Sequence, residues 1–311
     1  MKNISWNMRQ INSLLGAIKH IAESDNETIE ASENIQQIKI LSYFFLTQEI
    51  EIEAIPVSSP VELASLITDN EQKKQALEFL LISCYFSKES LAKKSAIVED
   101  YARALKLSDL LVKQLHQLHF KYSKLILALK LRKNLTEVDN LDLSIPAAAE
   151  IKMLYESTNR SITLTEKYHK LAHLAKNSIG YNLYKFYRKN KFTLPGEPGS
   201  MVDKTLLIHD ISHLLTDYKR DLRGNFYNLA FLAGNSNTGS IIIAALALFN
   251  YYLFERAPEH KPRLNKLEHK RFWNAIRGGM NCQIDLLDNW DYESYFNKSI
   301  LNVRTGLNLT K

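Results

Sequence analysis

Two histidines and an aspartate lie within one apolar helical stretch in the second half of the chain. Residues 206–218 read LLIHDISHLLTDY, in which His209, Asp210 and His213 stand among aliphatic side chains. At 3.6 residues per turn, His209 and His213 share a face as an i, i+4 pair, and Asp210 and His213 form an i, i+3 pair. Two neutral imidazoles and a carboxylate are a common ligand set for a divalent ion such as zinc. The spacing therefore predicts a metal site with a position left for water or substrate.

A second interpretation of the same residues needs no metal. Histidines at this spacing often lie on a helix surface, and an Asp–His hydrogen bond can orient the next helix. The aliphatic neighbours predict that much of the helix is buried; they are Ile208, Ile211, Leu214 and Leu215. Buried histidine and aspartate side chains need partners, of which a shared metal is the simplest. We prefer the metal hypothesis and keep the hydrogen-bonded pair as its alternative.

The residues around this motif resemble those of a known family. The run from His209 to Asn225, HDISHLLTDYKRDLRGN, is similar to the signature of the Coq-four family of coenzyme Q (ubiquinone) biosynthesis proteins. That signature pairs His-Asp-x-x-His with an acidic residue after eleven intervening positions. The resemblance extends over about residues 156–288, through Ser178-Ile179-Gly180 with Tyr184 and Phe186 upstream and Trp273 in KLEHKRFWNAIR downstream.

The resemblance implies a metal-dependent enzyme. It implies zinc or another divalent metal at His209, Asp210 and His213, which would also be the catalytic residues, with Asn225 in the fourth ligand position. The implied substrate is a prenylated aromatic quinone precursor, from which the ring C1 carboxyl is removed and replaced by a hydroxyl. Other quinone-biosynthesis proteins and a membrane surface are the implied partners.

Asn225 departs from the pattern, because the family has a glutamate there. An amide oxygen can ligate a metal, but it supplies no charge and cannot act as a general base. Asp217 and Asp221 lie one and two turns beyond His213 and are alternative carboxylates, although a solvated acid or a helix cap is the simpler interpretation of each. The rival function is a non-catalytic prenyl-lipid-binding or scaffold protein of the quinone-biosynthesis assembly.

An apolar segment offers a place for an isoprenoid tail. Residues 240–254 are apolar around most of the helix circumference, which is typical of a core helix and is also the composition that a lipid tunnel would need. The candidate tunnel residues are Ile241, Ala245, Leu248 and Tyr252. The segment is shorter than the roughly 20 residues of a membrane span.

Two groups of basic and aromatic residues lie in the second half of the chain. Lipid headgroups or ordinary solvation would explain Arg188, Lys189 and Lys191 beside the aromatic residues Tyr184, Tyr187 and Phe192. Phe272 and Trp273 have two interpretations: they lie beside lipid headgroups in the same way, or they pack a C-terminal helix on the core.

The chain as a whole predicts an all-α fold of two domains. Its 311 residues, with 45% hydrophobic and 24% charged side chains, are typical of globular proteins. Apolar side chains recur at helical spacing from Ile11 onwards, and the polar stretch that ends at Pro146 predicts a boundary between domains 1–145 and 146–311. The first domain faintly resembles the TerB-like helical domains of tellurite-resistance proteins, without an Asp-Gly metal signature. We interpret it as an interaction or regulatory module.

Charge and cysteine content narrow the remaining functions. The net charge of +6 suits an anionic partner, but no basic and aromatic motif of a nucleic-acid-binding module is present, so we expect no nucleic acid. Cys84 and Cys282 form no metal or disulfide pattern. With no secretory signal in the first residues, we expect a cytoplasmic homo-oligomer, peripheral at the inner membrane. A metallo-phosphohydrolase is a third hypothesis; it would need further ligands, for which the candidates are His169, His173, His260 and His269.

Overall fold

The computed structural model describes residues 5–24, 38, 42, 51–84, 91–110, 152–153, 161–200, 204–236, 269–288 and 290–309. The α-helices in these ranges are α1 (Met8–Glu23), α2 (Pro60–Leu66), α3 (Asn70–Cys84), α4 (Leu91–Ala104), α5 (Ile162–Lys170), α6 (Ile179–Lys189), α7 (Lys204–Thr216), α8 (Leu222–Asn235), α9 (His269–Met280) and α10 (Ile300–Gly306). Short 3₁₀ helices span Ile52–Ala54, Leu171–His173 and Tyr292–Tyr295. The described ranges contain no β-strand, which confirms the all-α prediction.

The helices of the first half begin where local sequence favours a helix start. Asn7 caps α1 by accepting a hydrogen bond from the backbone N–H of Gln10, whose side chain accepts from the backbone of Asn7. Ser59 and Glu62 form the same reciprocal cap on α2, whose first residue is a proline. These caps satisfy backbone donors that a helix start leaves without partners. Helix α1 packs against α2, α3 and α4 and buries its apolar face there.

Helix α7 lies among the other helices of the second half. It packs against α6, α8 and α10, and α8 runs along α9 in the most extensive helix pairing of the described residues. This pairing brings backbones close together, because a Cβ atom added to Gly279 on α9 would lie 2.0 Å from the carbonyl oxygen of Phe231 on α8. The residues predicted to carry chemistry therefore sit on a helix that is enclosed on several sides.

The two halves of the chain touch through aromatic side chains. The rings of Phe79 on α3 and Trp273 on α9 lie 5.9 Å apart, and Trp273 also packs edge-on against Phe272. Both Phe272 and Trp273 are buried, so they pack on the core and form no membrane edge. Among the helices of the described ranges, none combines the length and apolar character that a bilayer crossing requires.

Several predictions fall on residues outside the described ranges. The proposed tunnel residues Ile241, Ala245, Leu248 and Tyr252 are among them, as are His260 and the predicted domain boundary at residues 145 and 146. These expectations stay predictions.

Candidate functional site

Helix α7 is buried along its middle, as the aliphatic residues around the motif predict. Ile208 and Ile211 are wholly buried, and the polar side chains share that environment: His209 is 2% exposed, Asp210 2% and His213 4%. Polar groups this deep must find partners inside the protein or lose the hydrogen bonds that water would give them. The partners of each therefore indicate what the site is built to do.

His213 is held as a neutral imidazole. Its Nδ1 lies 3.0 Å from the backbone carbonyl oxygen of Tyr218, and its Nε2 lies 2.9 Å from Oδ1 of Asn225. Burial, followed by the neighbouring His209, lowers the pKa of His213 to about 3. Because a carbonyl oxygen only accepts, the single ring proton resides on Nδ1 and donates to Tyr218. Nε2 is left with its lone pair directed at Asn225.

The contact between His213 and Asn225 brings two hydrogen-bond acceptors together when the amide oxygen faces the ring. Two arrangements relieve the repulsion: the amide turns so that its NH₂ group donates to Nε2, or a cation sits against both atoms. The 2.9 Å separation is an ordinary hydrogen-bond length and also lies within reach of two ligands of one metal ion, so it fits both arrangements. Helix α8 supplies Asn225 from its first turn, where Asp221 caps the helix.

Among the residues that the structure describes, none hydrogen-bonds either ring nitrogen of His209, although both atoms are buried. Its ring lies 4.9 Å from that of His213, nearly perpendicular to it. Its Nδ1 is 3.7 Å from Oδ1 of Asp210, which is longer than a hydrogen bond. Leaving a buried polar group without partners costs about 1–3 kcal/mol. The buried His209 ring therefore lies beside the neutral ring of His213 with its hydrogen-bonding capacity unused.

The side chain of Asp210 contacts a residue that the sequence did not assign to the site. Its Oδ2 accepts a hydrogen bond of 2.9 Å from the hydroxyl of Tyr187 on α6. Tyr187 is 4% exposed, so its ring packs in the core and neither lipid headgroups nor solvent surrounds it. The available signal was the helical spacing of Ile179, Leu183 and Tyr187, which places all three on the inward face of α6.

Arg220 brings positive charge to the same place. Its guanidinium donates to the backbone carbonyl of Asp210 over 3.2 Å and lies 3.2 Å from the centre of the Phe186 ring. The charge of Arg220 also contributes to the lowered pKa of His213, after burial and His209. The site therefore combines two imidazoles, a buried carboxylate and a neighbouring guanidinium.

The predicted ligands are brought together only in part. Among the residues that the structure describes, no group of three or more His, Cys, Asp or Glu side chains is arranged to hold a metal ion. His213 lies beside His209 on one side and beside the oxygen of Asn225 on the other, whereas one carboxylate oxygen of Asp210 is engaged by Tyr187. The metal stays a prediction, for which the two imidazoles and the amide oxygen are the nearest donor set.

The other acidic and histidine candidates have local roles. Asp221 accepts from the backbone N–H of Gly224 at the start of α8, and Asp217 is exposed and lies 3.7 Å from Arg304. The cap and the solvated acid are therefore the correct interpretations of these two residues. His169 contacts Glu197 over 2.9 Å, and His173 is exposed. Neither supplies the further ligand that a phosphohydrolase site would need within the described ranges.

Comparison with known proteins adds no relative. No protein-family model matches the chain, and no curated protein sequence matches it significantly. The Coq-four resemblance therefore rests on the motif residues themselves.

Proposed function

We propose that this chain holds a divalent metal, most simply zinc, between His209, His213 and the oxygen of Asn225, and that it acts on a prenylated aromatic quinone precursor in ubiquinone biosynthesis. The observation that carries the proposal is His209, whose two buried ring nitrogens have no hydrogen-bond partner while its ring lies 4.9 Å from the neutral His213. A metal is the partner that would use both imidazoles at once.

The surroundings of His213 fit a metal ligand. A metal-binding imidazole usually donates its other ring N–H to a carboxylate or a backbone carbonyl, which fixes the tautomer and the ring orientation. The carbonyl of Tyr218 occupies that position at Nδ1 and leaves Nε2 to ligate. When bound, a divalent ion supplies a Lewis acid that polarises a ring carboxylate and lowers the pKa of a bound water.

The chain's own residues provide the charge and the dry environment that such chemistry needs. Asp210 places negative charge beside the imidazoles, and Arg220 places a guanidinium close to Asp210 and His213. A guanidinium suits the carboxylate that the proposed substrate carries on its ring. Because the imidazoles and Asp210 are almost wholly buried, bulk solvent is kept away from them, which strengthens every electrostatic interaction there. An isoprenoid tail is insoluble in water, so we place the protein at a membrane surface, as a homo-oligomer with other quinone-biosynthesis proteins.

Asn225 supports the second candidate function, a prenyl-lipid-binding or scaffold protein without turnover. Its amide cannot accept the proton that a glutamate would take. Asp217 and Asp221, the two nearby carboxylates, are used as a solvated acid and a helix cap. A protein with this donor set is able to bind a metal more weakly than a carboxylate site does and to lack the general base.

Elemental analysis of the full chain purified without chelator tests the metal. We expect close to one divalent ion per chain in the native protein and in the control His173→Ala, which changes an exposed histidine. We expect its loss in His209→Ala and in His213→Ala. A native protein free of metal, or variants that retain it, would overturn the proposal of a metal enzyme.

The variant Asn225→Glu separates the enzyme from the scaffold. If the native protein holds metal and converts a prenylated hydroxybenzoate, the enzyme is established. If the native protein holds none and Asn225→Glu gains a tightly bound ion, the scaffold function is favoured, because the fold retains the site and lacks only its charge.

A further inference from the structure

The hydroxyl of Tyr187 ties helix α6 to the centre of α7. It donates to Oδ2 of Asp210 over 2.9 Å, and both side chains are shielded from solvent. The ring of Tyr187 is fixed by edge-on contacts with Phe186 and Phe192, whose centroids lie 5.7 and 6.2 Å away. The ring contacts hold the hydroxyl in place, and its hydrogen bond fixes one oxygen of the Asp210 carboxylate.

The backbone is held in the same place from two further sides. Arg220 donates to the carbonyl of Asp210, and Asn228 donates to the carbonyl of His209 over 3.0 Å. Asn228 is wholly buried and also donates to Ser212 over 2.8 Å. With the backbone and one carboxylate oxygen fixed, the second oxygen of Asp210, Oδ1, faces Nδ1 of His209 at 3.7 Å.

This placement favours one tautomer of His209. An ionised carboxylate only accepts hydrogen bonds, so the ring nitrogen nearest to it is stabilised when it carries the proton. A change of about 1 Å in the Nδ1 to Oδ1 separation would complete a hydrogen bond of ordinary length. With the proton on Nδ1, Nε2 of His209 carries a lone pair, as Nε2 of His213 does.

We infer that Tyr187 is a positioning residue which, through Asp210, keeps His209 in the Nδ1-protonated tautomer and so leaves Nε2 free to bind a metal. The use of that lone pair rests on the proposed function, whereas the tautomer does not. Asp210 is then the carboxylate that orients a ligand, as Tyr218 is the carbonyl that orients His213. This role explains why Asp210 points toward Tyr187 and does not complete a three-residue ligand group.

The test compares Tyr187→Phe with Tyr184→Phe in the full chain. Tyr187→Phe removes one oxygen and keeps the ring that packs on Phe186 and Phe192. Tyr184→Phe makes the same change one turn earlier on α6, where the ring contacts Arg188 and His169. Asp210→Asn is a second way to change the tautomer of His209, because it removes the charge that favours a proton on Nδ1.

The readout is the tautomer of His209 in chelator-treated protein labelled with ¹⁵N-histidine. Long-range ¹H–¹⁵N spectra distinguish a protonated from an unprotonated ring nitrogen, and His209→Asn identifies the signals. We expect Nδ1–H in the native protein and in Tyr184→Phe, and a mixture of tautomers in Tyr187→Phe and Asp210→Asn. In a zinc titration with Zn²⁺ alone, Tyr187→Phe should bind about tenfold more weakly, the usual effect of losing a group that orients a metal ligand.

The two parts of the experiment fail separately. A native protein with the proton on Nε2 of His209, or an unchanged tautomer in both Tyr187→Phe and Asp210→Asn, overturns the inference whatever the zinc affinity. A native protein that binds no zinc overturns the proposed metal function, and a shifted tautomer in Tyr187→Phe still supports the positioning role.

Discussion

Each half of the molecule contains a buried tyrosine next to a histidine, and the two clusters differ in the hydrogen bonding of the histidine. In the first half, the hydroxyl of Tyr101 contacts Nδ1 of His20 at 3.0 Å and donates to the carbonyl of Ser58. Burial raises the pKa of Tyr101, so the hydroxyl keeps its proton and remains a donor. In the second half, the hydroxyl of Tyr187 donates to Asp210. The neighbouring His209, however, has no hydrogen bond at either ring nitrogen within the described residues.

The difference separates a structural cluster from the cluster that we propose is functional. The hydrogen bonds of Tyr101 join helix α4 to α1 and to the segment before α2, which stabilises the packing of these elements. Within the described residues, His209 is buried without a hydrogen-bond partner, which costs stability, and we propose that a metal ion completes the site.

The largest expected effect tests whether the packing of α8 on α9 supports the site. Gly279→Ala would place a Cβ atom 2.0 Å from the carbonyl oxygen of Phe231, so backbones must move apart. We expect a loss of about 3 kcal/mol in the free energy of unfolding and a loss of metal binding, because α8 carries Asn225. Thermal unfolding and elemental analysis measure the two effects.

Gly278→Ala is the matched control. Its Cβ would make only an ordinary contact, 3.8 Å from the ring of Phe231, so the variant should be neutral or stabilised by up to about 1 kcal/mol. Equal stability of the two variants would show that α8 and α9 are not in close backbone contact.

In the first half, the Cβ atom of Gly16→Ala would lie 2.4 Å from the carbonyl oxygen of Pro56. This variant should destabilise the protein while leaving the metal content of the folded protein unchanged.

The next effect compares the two clusters directly in metal-free protein. Tyr101→Phe leaves the Ser58 carbonyl and His20 without the hydroxyl, and we expect the free energy of unfolding to fall by about 1–2 kcal/mol. His209→Leu removes polar atoms that have no partner, so stability should be unchanged or higher by about 1 kcal/mol. Urea unfolding of both variants measures the contrast.

Added zinc should then make the native protein more stable than His209→Leu. At a concentration one hundred times the dissociation constant, binding stabilises the native protein by about 2.7 kcal/mol, and His209→Leu should gain almost none of it. A loss of 2 kcal/mol or more in metal-free His209→Leu would contradict the comparison, because it would mean that His209 is already satisfied by the fold.

The smallest effect concerns a hydrogen-bonded cluster nearer the surface. Burial raises the pKa of Glu197, but hydrogen bonds from Arg188, the backbone of Leu194 and His169 outweigh it, so the pKa lies below its ordinary value of 4.5. A depressed pKa contributes stability above pH 4.5 and loses it as the pH falls through the folded value. Glu197→Gln should therefore cost up to about 1 kcal/mol at pH 7 and almost nothing at strongly acidic pH.

Glu166→Gln, at an exposed position of α5, is the control and should show no such pH dependence. A cost of Glu197→Gln that stays constant down to strongly acidic pH would show that the hydrogen bonds to Glu197 do not depend on its charge.

The sequence predicted the helices well because their signals are local. The apolar spacing from Ile11 to Ile21 falls within α1, and the proline-containing stretch after Ile55 ends where α2 begins. It did not predict Tyr187, since the partner of that residue lies on another helix, 23 positions along the chain. Its ring was assigned to the surface with the basic residues beside it, although the opposite face of the same helix is buried.

The sequence by itself determined that His209 and His213 share one helix face, because a helix has 3.6 residues per turn, and that α7 is largely apolar, because Leu and Ile recur along it. Only the tertiary structure decided which groups those side chains meet. The packing of α6 turned Asp210 toward Tyr187, and the packing of α8 brought Asn225 to within 2.9 Å of His213. Periodicity specifies the direction in which a side chain leaves its own helix, whereas its partners depend on how neighbouring helices pack.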